Sequence, residues 1–256
     1  MPVPSLLAVF AHPDDESLAC GGVLARHAAT GARTGVVTAT WTADTSRADE
    51  LAEALRILGA GPPRLLGFAD GGVPESAPGR PPLCEAPLDE AVGTLVGHLR
   101  EFRPDIVVTH DAYGGLTGHP DHAHTHRITV LALHAAPLER LYPEAGPPWQ
   151  PSALYLATYP HSAAASMGNH LARAGRRANA MYTVPDELVT ATVDVRPWLG
   201  QKLAAILAHR SEVDRGAAPG RIAAFPPEVR ERLLSTEWYI RHPLLPGTAA
   251  QSELAI

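Results

Sequence analysis

The chain is almost without lysine: Lys202 is the only one in 256 residues, so its 21 basic residues are otherwise arginine. They are outnumbered by 27 acidic residues, for a formal net charge of −6. That balance offers no basic face for nucleic acid, and a neutral or cationic small molecule suits it better as a partner. The scarcity of lysine beside abundant alanine, arginine and proline reads as genomic base composition and carries no chemistry. Two cysteines, Cys20 and Cys84, are too few for a disulfide framework, and packing is their expected role. The chain shows neither a membrane-spanning apolar run nor a charged leader with an apolar core and cleavage site, so a cytoplasmic protein without a membrane partner is expected. GxGxxG and P-loop motifs are missing too, which removes dinucleotide and nucleoside triphosphate binding by those routes.

What is present is enough for one large core. With 45% hydrophobic residues and no polar tract dividing the chain, residues 1–256 are expected to form a single domain. Ser5 to Ala11 is a short apolar run of the kind that forms a strand buried on both faces, and Ser17 to His27 reads as the helix after it. A β-branched run from Gly35 to Trp41 precedes Thr45 to Leu58, where Leu51, Ala54, Leu55 and Leu58 recur at helical spacing. A weaker strand at Arg64 to Phe68, a proline-rich loop from Val73 to Pro87, a helix at Leu88 to Phe102, a strand at Ile106 to His110 and a helix at Pro120 to Ala136 complete a βαβαβαβ pattern. The expected fold is therefore α/β, a Rossmann-like, mostly parallel sheet flanked by helices. Beyond Pro137 the expectations are a loop at Pro143 to Pro151, strands at Ala153 to Thr158 and Val189 to Val195, and an arginine-rich, helix-like stretch at Met167 to Asn179. Helices are expected at Pro197 to Glu212 and Pro227 to Ile240, with fraying past His242.

Two His-Pro-Asp turns carry the chemistry. Ala11-His12-Pro13-Asp14-Asp15-Glu16 follows the first strand, and Gly118-His119-Pro120-Asp121-His122 follows the strand ending at His110. Pro13 disfavours helix at His12, so that histidine sits where the strand ends, at the sheet edge where ligands collect in open α/β folds. One such turn alone would read as helix capping. Two at one edge bring together imidazoles and carboxylates in the mix a catalytic zinc site needs, with three protein ligands and one position open for water. Such an ion makes hydroxide available near neutrality, which points to a metal-dependent hydrolase. His122 and His126, at i and i+4 on one helix, are a rival ligand pair, although no glutamate stands between them as in HExxH.

AHPDDE at 11–16 and HPDH at 119–122, with a weaker third signature in Lys202 and Ala208-His209-Arg210-Ser211, resemble the LmbE-like or PIG-L-type zinc-dependent N-acetylglucosaminyl deacetylases. The resemblance implies that His12, Asp15 and His122 ligate zinc and that Asp14 is the general base. It further implies that His119 stabilises the oxyanion or acts as acid, its ring oriented by Asp121. Iron(II) or cobalt suits the same donors. Hydrolysis of an N-acetyl or N-acyl amide on an amino sugar is the implied reaction. Asp70, Tyr113, Thr117 and His209 are the implied substrate contacts. Asp70 also suits an Asp-Gly turn with Gly71, and His209 a helix-end position. Ala69 and Thr117 stand where members acting on the mycothiol precursor carry arginine and tyrosine, and Glu212 stands in place of a frequent glutamine. These departures favour a bulkier glycosylated substrate. Two other readings compete: a metal phosphoesterase, which in its two-metal form needs more bridging carboxylates than the motifs supply, and a non-catalytic sugar-binding relative, which would have lost Asp14 or a ligand.

Overall fold

The computed structural model describes residues 3–164 and 181–245; the Met167 to Asn179 stretch lies outside them. Strands β1 (Leu6–Phe10), β2 (Thr34–Thr40), β3 (Arg64–Phe68), β4 (Ile106–His110), β5 (Ala153–Thr158), β6 (Ala191–Asp194) and β7 (Thr236–Pro243) form one sheet in the order β3-β2-β1-β4-β5-β7-β6. All neighbours from β3 to β5 are parallel, and β7 runs antiparallel to both β5 and β6. Helices α1 (Asp15–Ala29), α2 (Ser46–Leu58), α3 (Leu88–Phe102), α4 (Pro120–Ala135), α5 (Leu199–Ala208), α6 (Arg210–Asp214), α7 (Ala218–Ala224) and α8 (Pro227–Leu234) connect them.

The two-residue period of a strand divides the core. Leu6, Ala8 and Phe10 of β1 face α1, α2 and α5 through Val23, Leu24, Leu55, Leu58 and Ala205. Leu7 and Val9 face α3 and α4 through Leu95, Leu99, Ile128 and Ala132. Because β1 lies between β2 and β4, the chain reverses its direction of travel across the sheet there, and the crevice above the β1 and β4 carboxyl ends is the topological switch point. Both motifs follow those two strands.

Two expectations beyond Pro137 are corrected. The Pro227 to Ile240 helix stops at Leu234, and the residues after it form β7. Thr236 to Ile240 is β-branched and aromatic, with Glu237 and Tyr239 buried in alternation, and pairing with β5 outweighs helical continuation. β7 runs to Pro243, and most of the stretch past His242 where fraying was expected lies outside the described residues. The Pro197 to Glu212 helix is interrupted at His209, whose ψ of 66° leaves the helical region. A short helix at Ala218–Ala224 escaped the sequence pattern.

Candidate metal centre and active site

His12 leaves the end of β1, and Asp15 opens α1. His122 sits in the first turn of α4, which Pro120 enters at a position where its missing N–H costs nothing. His12 Nδ1 and His122 Nε2 are 3.1 Å apart, and Asp15 Oδ2 lies 3.5 Å from the first and 3.3 Å from the second. Four-coordinate zinc with bonds of about 2.0–2.1 Å places ligand atoms about 3.3–3.4 Å apart. The other nitrogens of both rings are committed. His12 Nε2 donates to Asp121 Oδ2 at 3.1 Å, and His122 Nδ1 donates to the Gly114 carbonyl at 3.1 Å. Two imidazole lone pairs and a carboxylate oxygen therefore converge, an arrangement that needs a positive charge between them. Without a metal a proton takes that role: burial would lower the His12 pKa, but hydrogen bonds to Asp121 and Asp15 overcome it and raise it to about 10. Burial, with only partial relief from Asp15, holds His122 well below its ordinary value and so neutral, the form that binds metal.

Gly114 makes the His122 contact possible. At φ 79° a side chain there would be strained, and a Cβ would approach the Ala123 nitrogen to 2.9 Å and His122 Cβ to 3.0 Å.

Two rival donors are engaged elsewhere. His110 Nε2 is 3.5 Å from Asp15 Oδ2, but it already accepts the Ala11 N–H at 3.3 Å while its ring stacks on His122. His126 Nδ1 donates to the His110 carbonyl at 3.0 Å, which takes the i, i+4 pair out of the cluster.

Asp121 differs from its expected role. Its carboxylate accepts from Gly71 N at 2.9 Å, Cys84 N at 3.0 Å and His12 Nε2 at 3.1 Å, while His119 Nδ1 stands 3.9 Å away and accepts the Asp121 backbone N–H. It orients the His12 ring rather than that of His119, because capping the helix turns the His119 ring back over the α4 N-terminus. Burial would raise the Asp121 carboxyl, but these hydrogen bonds hold it at about 2.

Asp14 occupies a strained turn, φ 138° and ψ −26°, a backbone cost of roughly 1–3 kcal/mol that persists only where neighbours enforce it. Glu16 Oε2 accepts its N–H at 3.0 Å, and Arg47 hydrogen-bonds the Pro13 carbonyl. Burial and the adjacent Asp15 push the Asp14 carboxyl up to about 7, against the opposing pull of Arg47. Arg47 also pairs with Glu212, and its nearer guanidinium nitrogen is 4.0 Å from Asp14 Oδ1. Nothing in the motifs singled out Arg47, though a cation in a helix's first turn opposes the helix dipole and is itself a signal.

Among the expected substrate contacts, Asp70 and Thr117 line a cavity of about 450 Å³ together with His12, Asp14, Asp15, His119 and His122. Asp70 makes a turn of the kind expected, its Oδ1 accepting the Gly72 N–H at 2.8 Å, while Oδ2 faces His12 Nε2 at 3.6 Å. His209 is not in that lining. It is fully buried and donates from Nε2 to Glu16 Oε1 at 2.9 Å, so it supports the Asp14 turn from behind. Tyr113 is also outside the lining, 51% exposed and beside the Tyr182 ring. Tyr159, which lines the cavity, was not anticipated; it belongs to the less patterned half of the chain.

The α/β sheet carries at its switch point a cluster of histidines and carboxylates that could hold a metal ion, and comparison with known proteins gives the family. The chain belongs to the PIG-L family, GlcNAc-PI de-N-acetylase, whose pattern matches residues 7–133. It is 35% identical to the 1D-myo-inositol 2-acetamido-2-deoxy-alpha-D-glucopyranoside deacetylase of Rhodococcus jostii (strain RHA1), over 97% of this chain and 94% of the relative. Among solved structures it is similar to a conserved protein of Thermus thermophilus, with TM-score 0.64 and 27% identity over 96% of this chain and 100% of the other. The fold is shared with the N,N'-diacetylchitobiose deacetylase of Pyrococcus horikoshii, with TM-score 0.63 and 21% identity over 96% and 88% of the two chains.

Proposed function

We propose that this protein removes an N-acetyl group from an amino sugar by metal-assisted hydrolysis. His12, Asp15 and His122 are the ligands, and zinc is the ion their donor set and spacing suit best. The observation that carries the reading is the convergence of three donor atoms within 3.5 Å, each imidazole locked by a partner on its far side. A divalent ion held there supplies a Lewis acid and lowers the pKa of the attacking water. Asp14 takes the water's proton and later returns it to the leaving amine, and its strained turn presents the carboxylate to the cavity for that task. His119, whose Nδ1 caps α4, offers Nε2 to the developing oxyanion. Asp70 accepts from sugar hydroxyls through the carboxylate oxygen not used in its own turn.

The relative's named substrate, the myo-inositol glycoside of N-acetylglucosamine, is the natural first assay. Acetate release is expected, together with about one equivalent of metal per chain by elemental analysis. Asp14→Asn should retain the metal while turnover falls about 10²–10⁴-fold. Near-normal turnover in that variant would remove Asp14 from the mechanism, and phosphate release without acetate release would replace the reaction altogether.

A further inference from the structure

The reaction cavity has two unlike linings. The motif turns supply polar groups, whereas α7, the turn after it and the end of α8 supply Ile222, Phe225, Leu233 and Leu234, joined by Leu18 and Leu116. Two arginines accompany this apolar wall, and neither accepts a hydrogen bond. Arg215 Nε donates to Glu212 at 2.6 Å, and Arg221 Nε donates to the Gly216 carbonyl at 3.2 Å. Glu212, which also lines the cavity, is taken by Arg47 and Arg215. A polyol laid against the side chains of Ile222, Phe225 and Leu233 would give up water there and find no hydrogen-bond partner on them, and unpaired polar groups are what binding sites reject most strongly.

Resting on the deacetylase reading, we infer that the amino-sugar substrate carries an apolar aglycone, aromatic or aliphatic, that packs against Ile222, Phe225 and Leu233. An acetyl group is too small to fill a wall of this extent, and the sugar hydroxyls are served at the Asp70 end, so the substituent on the anomeric carbon is what remains for it. Specificity for the aglycone then resides in Phe225, which sits at the end of α7, half-buried and facing the cavity.

The test compares two α-glycosides of N-acetylglucosamine, benzyl and myo-inositol, by kcat/KM for acetate release. The native chain should prefer the benzyl glycoside by about tenfold or more, the discrimination that apolar pockets reach. Phe225→Ser should reduce that ratio by about tenfold, and Phe225→Leu, which keeps apolar volume, should retain most of it. Preference for the inositol glycoside would overturn the inference, as would an equal loss on both substrates in Phe225→Ser. Faster release of octanoate than acetate from otherwise identical benzyl glycosides would also overturn it by assigning the wall to the acyl chain. No acyl release from any of them would bring down the deacetylase reading itself, a different outcome from release confined to the inositol glycoside.

Discussion

A histidine becomes a metal ligand by what holds its other nitrogen. The motifs mark His12 and His122 in the sequence, and in the fold these two, unlike His124, His126 and His134, have one nitrogen tied to a fixed acceptor and the other aimed at Asp15. Asp121 provides the tie for His12, so under the proposed function its carboxylate acts on the metal at one remove. Asp121→Asn should weaken metal affinity about 10–100-fold, the usual consequence of losing such a partner, while His126→Ala leaves it intact. A competition titration with a chelator measures both. Equal affinity in Asp121→Asn would return that residue to its expected place behind His119.

At the scale of elements, the motif on α1 depends on a strand more than 200 positions away in the chain. Glu237 of β7 reaches α1 and accepts from Gly22 N at 2.8 Å and Val23 N at 3.0 Å. Its carboxylate also meets Lys202 Nζ at 2.7 Å and the Tyr239 hydroxyl at 2.8 Å, all in the interior. The lone lysine of the chain is therefore a buried counter-ion to a strand that braces α1. Leaving one member of a buried pair unmatched typically costs about 3–5 kcal/mol. Lys202→Met should lower unfolding stability by roughly that amount, measured by urea denaturation, and Lys202→Met with Glu237→Gln should recover part of it. Additive losses in the double variant would mean that the two side chains act independently.

Over the whole molecule, the Glu16–His209 contact joins the first motif to the third across 193 positions. Burial opposes ionisation of both groups, but their mutual attraction raises the His209 pKa above its ordinary 6.5 and lowers that of Glu16 below its ordinary 4.5. The His209 contribution to stability is then complete below 6.5 and is lost as pH rises through its elevated folded value. The Glu16 contribution is complete above 4.5 and is lost as pH falls through its depressed folded value. Between those limits both are present. The stability gap between the native chain and His209→Gln, followed by urea midpoints across pH, should be widest in that window and narrow on either side. A gap that widens steadily into alkaline solution would show that His209 contributes by packing alone. No helix among the described residues is long and apolar enough to cross a membrane.

The sequence by itself determined the sheet from β1 to β5, because buried parallel strands and the helices between them each carry their own period, and it placed both motifs at strand ends. It also singled out His12, Asp15 and His122, which the fold brings within 3.5 Å of one another, since proline, histidine and aspartate in a fixed order form a local turn. It misplaced β7, His209, Tyr113 and the partner of Asp121, and it passed over Arg47 and Tyr159. Each of these depends on a contact between segments distant in the chain, where local propensity is weak and the partner decides. Whether Thr236 to Pro243 is helix or strand is settled by the open edge of β5, and whether His209 faces substrate or supports Glu16 is settled by how α5 and α6 pack against α1. Periodicity and turn chemistry are written residue by residue, but which side of a histidine finds a carboxylate is decided only when the chain is folded.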